Sequence, residues 1–259
     1  MLKPNQIYCG DCLEVMKKIQ DKSIDLTVTS PPYDNLREYN GYVFDFEAIA
    51  QQLFRITKPG GVVVWVVGDA TINGSETGTS FKQALYFMTL GFNLHDTMIY
   101  QKQNPIPLTH NRYEQSFEYM FVLCKGKLAV FNPIKELVLS CGKLNHRTNT
   151  AKSKEAATRN RDQWTKGKKE KYLNNVFSYV AGRRSGTGKH PAPFPERLAQ
   201  DHIISWSNKG DLVLDPFCGS GTTCKMAREL HRNFIGIEIS SDYVEIANRR
   251  ILNAEPQLF

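Results

Sequence analysis

An α/β fold with a mostly parallel sheet is predicted for this chain by three observations. Short β-rich runs alternate with amphipathic helical stretches along most of its length. One of these runs, Val62 to Val67, is unbroken β-branched and aromatic sequence, as in a strand buried on both faces of a parallel sheet. A glycine-rich stretch, Asp215 to Thr223, lies between a strand and a helix, where open α/β sheets bind their ligands. With 259 residues, 41% of them hydrophobic, the chain can bury a full core and fits one domain with a sizeable insertion better than two equal domains.

Gln6 to Tyr8 reads as a short strand, after which Leu13, Val15, Met16 and Ile19 recur at helical spacing. Asp21-Lys22-Ser23 turns the chain into the strand Ile24 to Thr29. Phe46, Ile49, Leu53 and Phe54 mark a helix that Pro59-Gly60-Gly61 is expected to end, before the strand Val62 to Val67. A polar loop leads to a helix at Phe81 to Leu90, closed by Gly91, and to strands at Phe92 to Tyr100 and Ser116 to Cys124. The rhythm stops from about Lys125 to Thr187. It resumes with a helix at Glu196 to Trp206, a strand at Asp211 to Leu214, a helix at Thr222 to Leu230, a strand at Asn233 to Ile237 and a last helix at Ser241 to Leu252. No internal repeat is present.

The net charge is +7, and it is unevenly placed. Between Lys143 and Lys189 stand thirteen Lys or Arg against Glu155, Asp162 and Glu170, so this segment carries +10 and the rest of the chain −3. A basic surface on an ordinary enzyme-like body points to a polyanionic partner; a solvated loop is the plain alternative. Trp164, Tyr172, Phe177 and Tyr179 among those charges suit a phosphate-binding surface with aromatic contacts. The six cysteines, Cys9, Cys12, Cys124, Cys141, Cys218 and Cys224, are too irregularly spaced for a disulfide scaffold, and no second close pair completes a zinc site with Cys9 and Cys12. Free, buried thiols are expected, and no metal. No apolar run approaches the roughly 20 residues of a membrane span, and Met1 to Ile7 does not read as a secretory signal, so a cytoplasmic location without a membrane partner is expected.

Two motifs carry chemistry. The strand ending at Leu214 runs into Asp215-Pro216-Phe217-Cys218-Gly219-Ser220-Gly221-Thr222-Thr223 and then a helix, whose N-terminus favours a carboxylate. The next strand ends at Glu238, placed to accept two hydrogen bonds from a ribose diol, so a nucleoside-shaped pocket is expected. A phosphate-cradling P-loop is excluded by the missing lysine pattern, and the dinucleotide pattern fails because Cys224 stands where its third glycine belongs. The second motif, Ser30-Pro31-Pro32-Tyr33, would in isolation be a stiff turn. Its place at the carboxyl end of a core strand puts it on the same sheet edge as the glycine turn, so both are expected to open into one cleft.

Asp215 to Thr223 resembles the S-adenosylmethionine motif, and Ser30 to Tyr33 the catalytic motif, of bacterial DNA amino-methyltransferases. The catalytic motif comes first and a basic segment lies between, the permuted order of that family's β group. Gly10-Asp11-Cys12-Leu13 resembles the segment that contacts the adenine end of the cofactor, and Lys189-His190-Pro191-Ala192-Pro193-Phe194-Pro195 the segment that closes over its methionine end. The resemblance implies a Rossmann-like S-adenosylmethionine-dependent methyltransferase fold in circularly permuted motif order. Residues 1–124 and 189–259 would be the two halves of the catalytic domain, and 125–188 a basic target-recognition insertion.

It further implies catalysis by Ser30, Pro31, Pro32 and Tyr33. S-adenosylmethionine would be held by Asp11, Cys12, His190, Pro191, Pro193, Phe194, Asp215, Phe217, Cys218, Gly219, Ser220, Gly221, Thr222 and Glu238. Double-stranded DNA would be held by Lys143, Arg147, Arg159, Arg161, Lys166, Lys168, Lys169, Arg183 and Arg184. In the implied mechanism the Ser30 hydroxyl and the Pro31 carbonyl accept hydrogen bonds from the amine of a flipped base, and Tyr33 stacks on that base. Serine at the first motif position usually accompanies cytosine N4 in the family, and aspartate or asparagine adenine N6. Cytosine N4 is therefore expected, with adenine N6 as the alternative; a non-catalytic DNA-binding subunit and an RNA or small-molecule methyltransferase are further readings. A cognate restriction endonuclease and a homodimer are partners compatible with the resemblance.

Overall fold

The computed structural model describes residues 2–32, 44–103, 112–137, 170–180 and 195–254. The chain divides into two compact units, 1–132 with 175–259, and 133–174. The first unit begins with β1 (Gln6–Cys9), α1 (Cys12–Met16), β2 (Ile24–Thr29), α2 (Phe46–Ile56) and β3 (Thr57–Val67). It continues with the small hairpin β4 (Thr71–Ile72) and β5 (Ser75–Glu76), then α3 (Thr79–Thr89), β6 (Phe92–Lys102) and β7 (Phe117–Lys125). The described part of the second unit is an antiparallel pair, β8 (Lys135–Leu137) and β9 (Glu170–Tyr172). Finally β10 (Val176–Tyr179), α4 (Glu196–Trp206), β11 (Leu212–Asp215), α5 (Thr222–Glu229), β12 (Asn233–Glu238) and α6 (Ser241–Leu252) return to the first unit.

Eight strands form one sheet in the order β1-β12-β11-β2-β3-β7-β6-β10. Every neighbouring pair is parallel except at β7, which runs antiparallel to both β3 and β6. From β11 the chain steps through α5 to β12 on one side, and from β2 through α2 to β3 on the other. The winding thus reverses between β11 and β2, and such a reversal opens a crevice at the carboxyl ends of the two strands.

The central strand is buried on both faces, as its unbroken apolar run predicts: no residue from Val62 to Val67 is more than 1% exposed. Val63, Trp65 and Val67 share one core with Met16, Ile49, Leu53 and Phe87 from α1, α2 and α3. Helix α4 packs on β2, β3 and β10, and α5 and α6 pack on the β11, β12 and β1 side.

Two elements depart from the sequence expectation. Helix α2 stops at Ile56 and β3 starts at once at Thr57, passing through Pro59-Gly60-Gly61. Its pairing with β2 jumps from Ile24↔Thr57 to Leu26↔Val62, so Lys58 to Gly61 form a bulge. Crowding dictates the glycines there: a Cβ on Gly60, at φ +81°, would lie 2.7 Å from Ala129 Cβ. The second departure is β10, which lies in the basic stretch yet pairs parallel with β6 as the last strand of the main sheet. Phe177 and Tyr179 are accordingly buried and do not form a phosphate-binding surface. Phe177 stacks on His202, and the Tyr179 hydroxyl donates to Asp201 Oδ2 at 2.9 Å. Cys12, Cys124, Cys218 and Cys224 are buried as expected, but Cys9 is exposed at the sheet edge. Among the described residues no helix is long and apolar enough to cross a membrane.

Candidate active site

β2 and β11 are neighbours, and their last residues are Thr29 and Asp215. Thr29 Oγ1 donates to Asp215 Oδ1 at 2.7 Å, joining positions 186 residues apart. Thr223 Oγ1, on the first turn of α5, donates to Val28 O at 3.2 Å. The turn Ser30-Pro31-Pro32 and the glycine turn are therefore stitched together at the point where the sheet winding reverses. Pro31 is buried there, while Ser30 and Pro32 are half-buried. Burial pushes the Asp215 carboxyl up to about 6; the hydroxyls of Thr29 and Thr223 and the Phe217 amide pull the other way, and the nearby Glu238 charge adds to the rise.

The glycine turn is held from beneath by β12. Cys218 N donates to Ile237 O at 2.9 Å, and Gly221 N closes the turn on Cys218 O at 2.7 Å. Gly221 is the N-cap of α5 at φ +78°. Glu238 accepts from Gly219 N through Oε2 and from Ser240 N through Oε1, both at 2.9 Å. Burial pushes its carboxyl above the usual range, an effect reduced by backbone donors from Ser240, Gly219 and Ile239. Cys224, which spoils the dinucleotide pattern, has a role in this packing. A Cβ on Gly236 would lie 2.8 Å from Cys224 Sγ and 3.0 Å from Cys218 Sγ. The missing side chain at the helix–strand contact is thus supplied by the strand, and the helix carries the thiol.

The third sequence-selected piece reaches the same edge. Cys9 pairs with Glu238 across β1 and β12, and Gly10 N donates to Glu238 O at 2.9 Å. Asp11 caps α1, its Oδ1 accepting from Leu13 N at 2.8 Å and Glu14 N at 3.2 Å. The structure thus gathers Asp11, Cys12, Ser30, Pro31, Pro32, Asp215 to Thr222 and Glu238 at the carboxyl edge of one sheet. Tyr33, His190, Pro191, Pro193 and Phe194, and the nine basic residues Lys143, Arg147, Arg159, Arg161, Lys166, Lys168, Lys169, Arg183 and Arg184, lie outside the described residues. Sequence reasoning missed Thr29 and Phe44, whose ring meets Phe217 edge-on with centroids 5.8 Å apart. The available signal for Thr29 was a polar residue in a core strand directly before Ser30.

The DNA methylase family of N6- and N4-methyltransferases matches residues 24–249. The chain belongs to that family. The orphan methyltransferase M.BamHII of Bacillus amyloliquefaciens is 51% identical over 249 residues, covering 92% of each chain. The solved M1.HpyAVI–SAM complex superposes with a TM-score of 0.63 at 27% identity, covering 95% of this chain and 98% of that one. The PvuII DNA methyltransferase (cytosine-N4-specific), at 20% identity and a TM-score of 0.72, covers 98% of this chain and 91% of its own and shares the fold. This methyltransferase is a DNA-modifying enzyme of Rossmann-like fold that uses S-adenosylmethionine. The residues at the edge fit that cofactor, which brings a ribose diol, a carboxylate and two cationic centres. Glu238 is an acceptor at a strand end, the α5 N-terminus favours an anion, and Asp215 is a buried carboxylate that a cation would stabilise.

Proposed function

We propose that this methyltransferase modifies cytosine N4 of a flipped base in double-stranded DNA, with Ser30, Pro31, Pro32 and Tyr33 as the catalytic residues. The Thr29–Asp215 hydrogen bond carries this reading, because it sets the serine-proline turn beside the turn proposed to hold the cofactor. An exocyclic amine is a poor nucleophile while its lone pair is spread into the ring. The Ser30 hydroxyl and the Pro31 carbonyl accept from its two hydrogens and draw nitrogen toward tetrahedral geometry. Proline fixes its own φ and Pro31 is buried, so that carbonyl has little freedom to lose. S-adenosylmethionine supplies the methyl group; alignment of nitrogen, carbon and sulfur supplies much of the rate, and no covalent enzyme intermediate is needed.

The serine at position 30 supports cytosine over adenine, through the family resemblance. Residues 125–188, apart from β10 in the main sheet, are proposed as the target-recognition segment, their nine named basic residues binding phosphates, and the enzyme is proposed to work in the cytoplasm. Two partner proposals accompany this. A homodimer is tested by analytical ultracentrifugation; a cognate restriction endonuclease is tested by searching for it in co-purified material, and the word orphan in the name of M.BamHII weighs against it. The deciding experiment methylates plasmid DNA with the purified protein and digests it to nucleosides for mass spectrometry. N4-methylcytosine is the expected product; N6-methyladenine would overturn the choice of base, and methylation of RNA in preference to duplex DNA the choice of substrate.

A further inference from the structure

The glycine turn is gripped from behind by a residue that no motif contains. Arg250 lies near the end of α6, and its side chain is 11% exposed. Its Nη1 donates to the Ser220 carbonyl oxygen, to Ser220 Oγ at 2.8 Å and to Thr222 Oγ1 at 3.4 Å. Its Nη2 donates to Glu196 Oε1 at 2.8 Å. The same carboxylate oxygen accepts from Lys225 Nζ, on α5, at 2.9 Å. Burial pushes the Glu196 carboxyl up, but Lys225 and Arg250 outweigh it and hold the group below its usual range. One helical turn before Arg250, Ala247 forms the floor of the turn: a Cβ on Gly221 would lie 2.7 Å from its own. α6 therefore meets Ser220-Gly221-Thr222 at two levels, one steric and one charged.

We infer that Arg250 is a positioning residue for S-adenosylmethionine binding, fixing the Ser220–Gly221 peptide by its carbonyl and tying it, through Glu196, to the start of α4. This rests on the reading that the glycine turn holds the cofactor. The physical reason is that the peptide is pinned at both ends. Its carbonyl accepts from Arg250, and its amide, Gly221 N–H, donates to Cys218 O. With both ends tied, the amides at the head of α5 are pre-set for a ligand, and less conformational freedom is lost on binding. The guanidinium suits the task because its planar fork serves Ser220 and Glu196 at once, which a single ammonium does not reproduce. Glu196 opens α4 directly after Pro195, so the same contact fixes the start of that helix.

The test compares Arg250→Ala, Arg250→Lys and Phe217→Ala with the unaltered protein, using calorimetric titration with S-adenosylmethionine and steady-state rates. For Arg250→Ala, loss of charge-assisted bonds to the turn is expected to weaken cofactor affinity and raise KM for the cofactor about tenfold or more. KM for DNA should stay unchanged and kcat at saturating cofactor should stay within about threefold. Arg250→Lys, which keeps the charge, should recover part of the affinity and serves should the alanine variant fail to fold. Unchanged cofactor affinity in Arg250→Ala beside a weakened Phe217→Ala overturns the role of Arg250 alone. Unchanged affinity in both overturns the placement of the cofactor. A fall in kcat with both KM values intact would make Arg250 something other than a positioning residue.

Discussion

A carboxylate as deeply buried as Asp215 titrates against the fold. Its value rises from 3.8 to about 6 on folding, so the native state holds the proton more tightly than the unfolded chain. The charged form therefore weakens the unliganded protein by roughly 3 kcal/mol, an effect absent below the lower value and complete above the higher one. His202 works in the opposite sense: burial lowers it from 6.5 to about 3, so the stability of its neutral form is complete above 6.5 and drains away as pH falls. Urea midpoints of the protein and of Asp215→Asn, measured from pH 4 to 7, separate the two; the variant should lose the downward component with rising pH. Parallel curves would locate that titration elsewhere. For the proposed catalytic residues, Ser30→Ala and Tyr33→Ala should nearly abolish turnover while cofactor affinity stays close to unchanged, as rates beside calorimetry will report. Residues inside the two motifs were legible as candidates because each motif is an unbroken run of the chain. Thr29 and Arg250 were not, since each acts on atoms contributed by a remote part of the chain.

Among elements, α5 and α6 meet with no spare volume. Gly221 combines φ +78° with a Cβ position 2.7 Å from Ala247 Cβ, so alanine there suffers both left-handed backbone strain and overpacking. Together these cost on the order of 2–4 kcal/mol. Thermal melts should show Gly221→Ala well below the parent, and the double variant with Ala247→Gly part of the way back, because that change removes the first clash. An additive double variant would mean that strain alone is responsible. Helix α4 and strand β12 were legible to within a residue from apolar spacing. The start of β3 was not, because Pro-Gly-Gly reads as an ending whereas the chain uses it as a bulge. Nor was β10: four residues of alternating burial are too few to show a period among so many charges.

At the scale of the molecule, the sequence separates two kinds of surface, a slightly acidic body and a segment of net charge +10. Binding of duplex DNA through such a segment should be strongly salt-dependent, with KM for DNA rising on the order of 1,000-fold or more between about 50 and about 200 mM salt. Cofactor affinity, set within the crevice on the proposed reading, should barely move over that range; equal sensitivity of both would deny the division. The parallel sheet and the side-by-side placement of the two motifs were legible, because the carboxyl ends of parallel strands share an edge. Strand order was not. The apolar run of β7 reads like any buried strand, and its reversed direction follows from pairing with β3 and β6, which local pattern does not encode.

The two sulfurs above Gly236 also make this enzyme a clock for its own motions. Cys218 and Cys224 are shut away, and the hydrogen bond between them together with burial keeps the Cys218 thiol well above its ordinary range, whereas Cys9 faces water. An alkylating dye should mark Cys9 promptly and the inner pair only when the turn swings open, so mass spectra taken over time would count those excursions. Added S-adenosylmethionine should slow the inner pair.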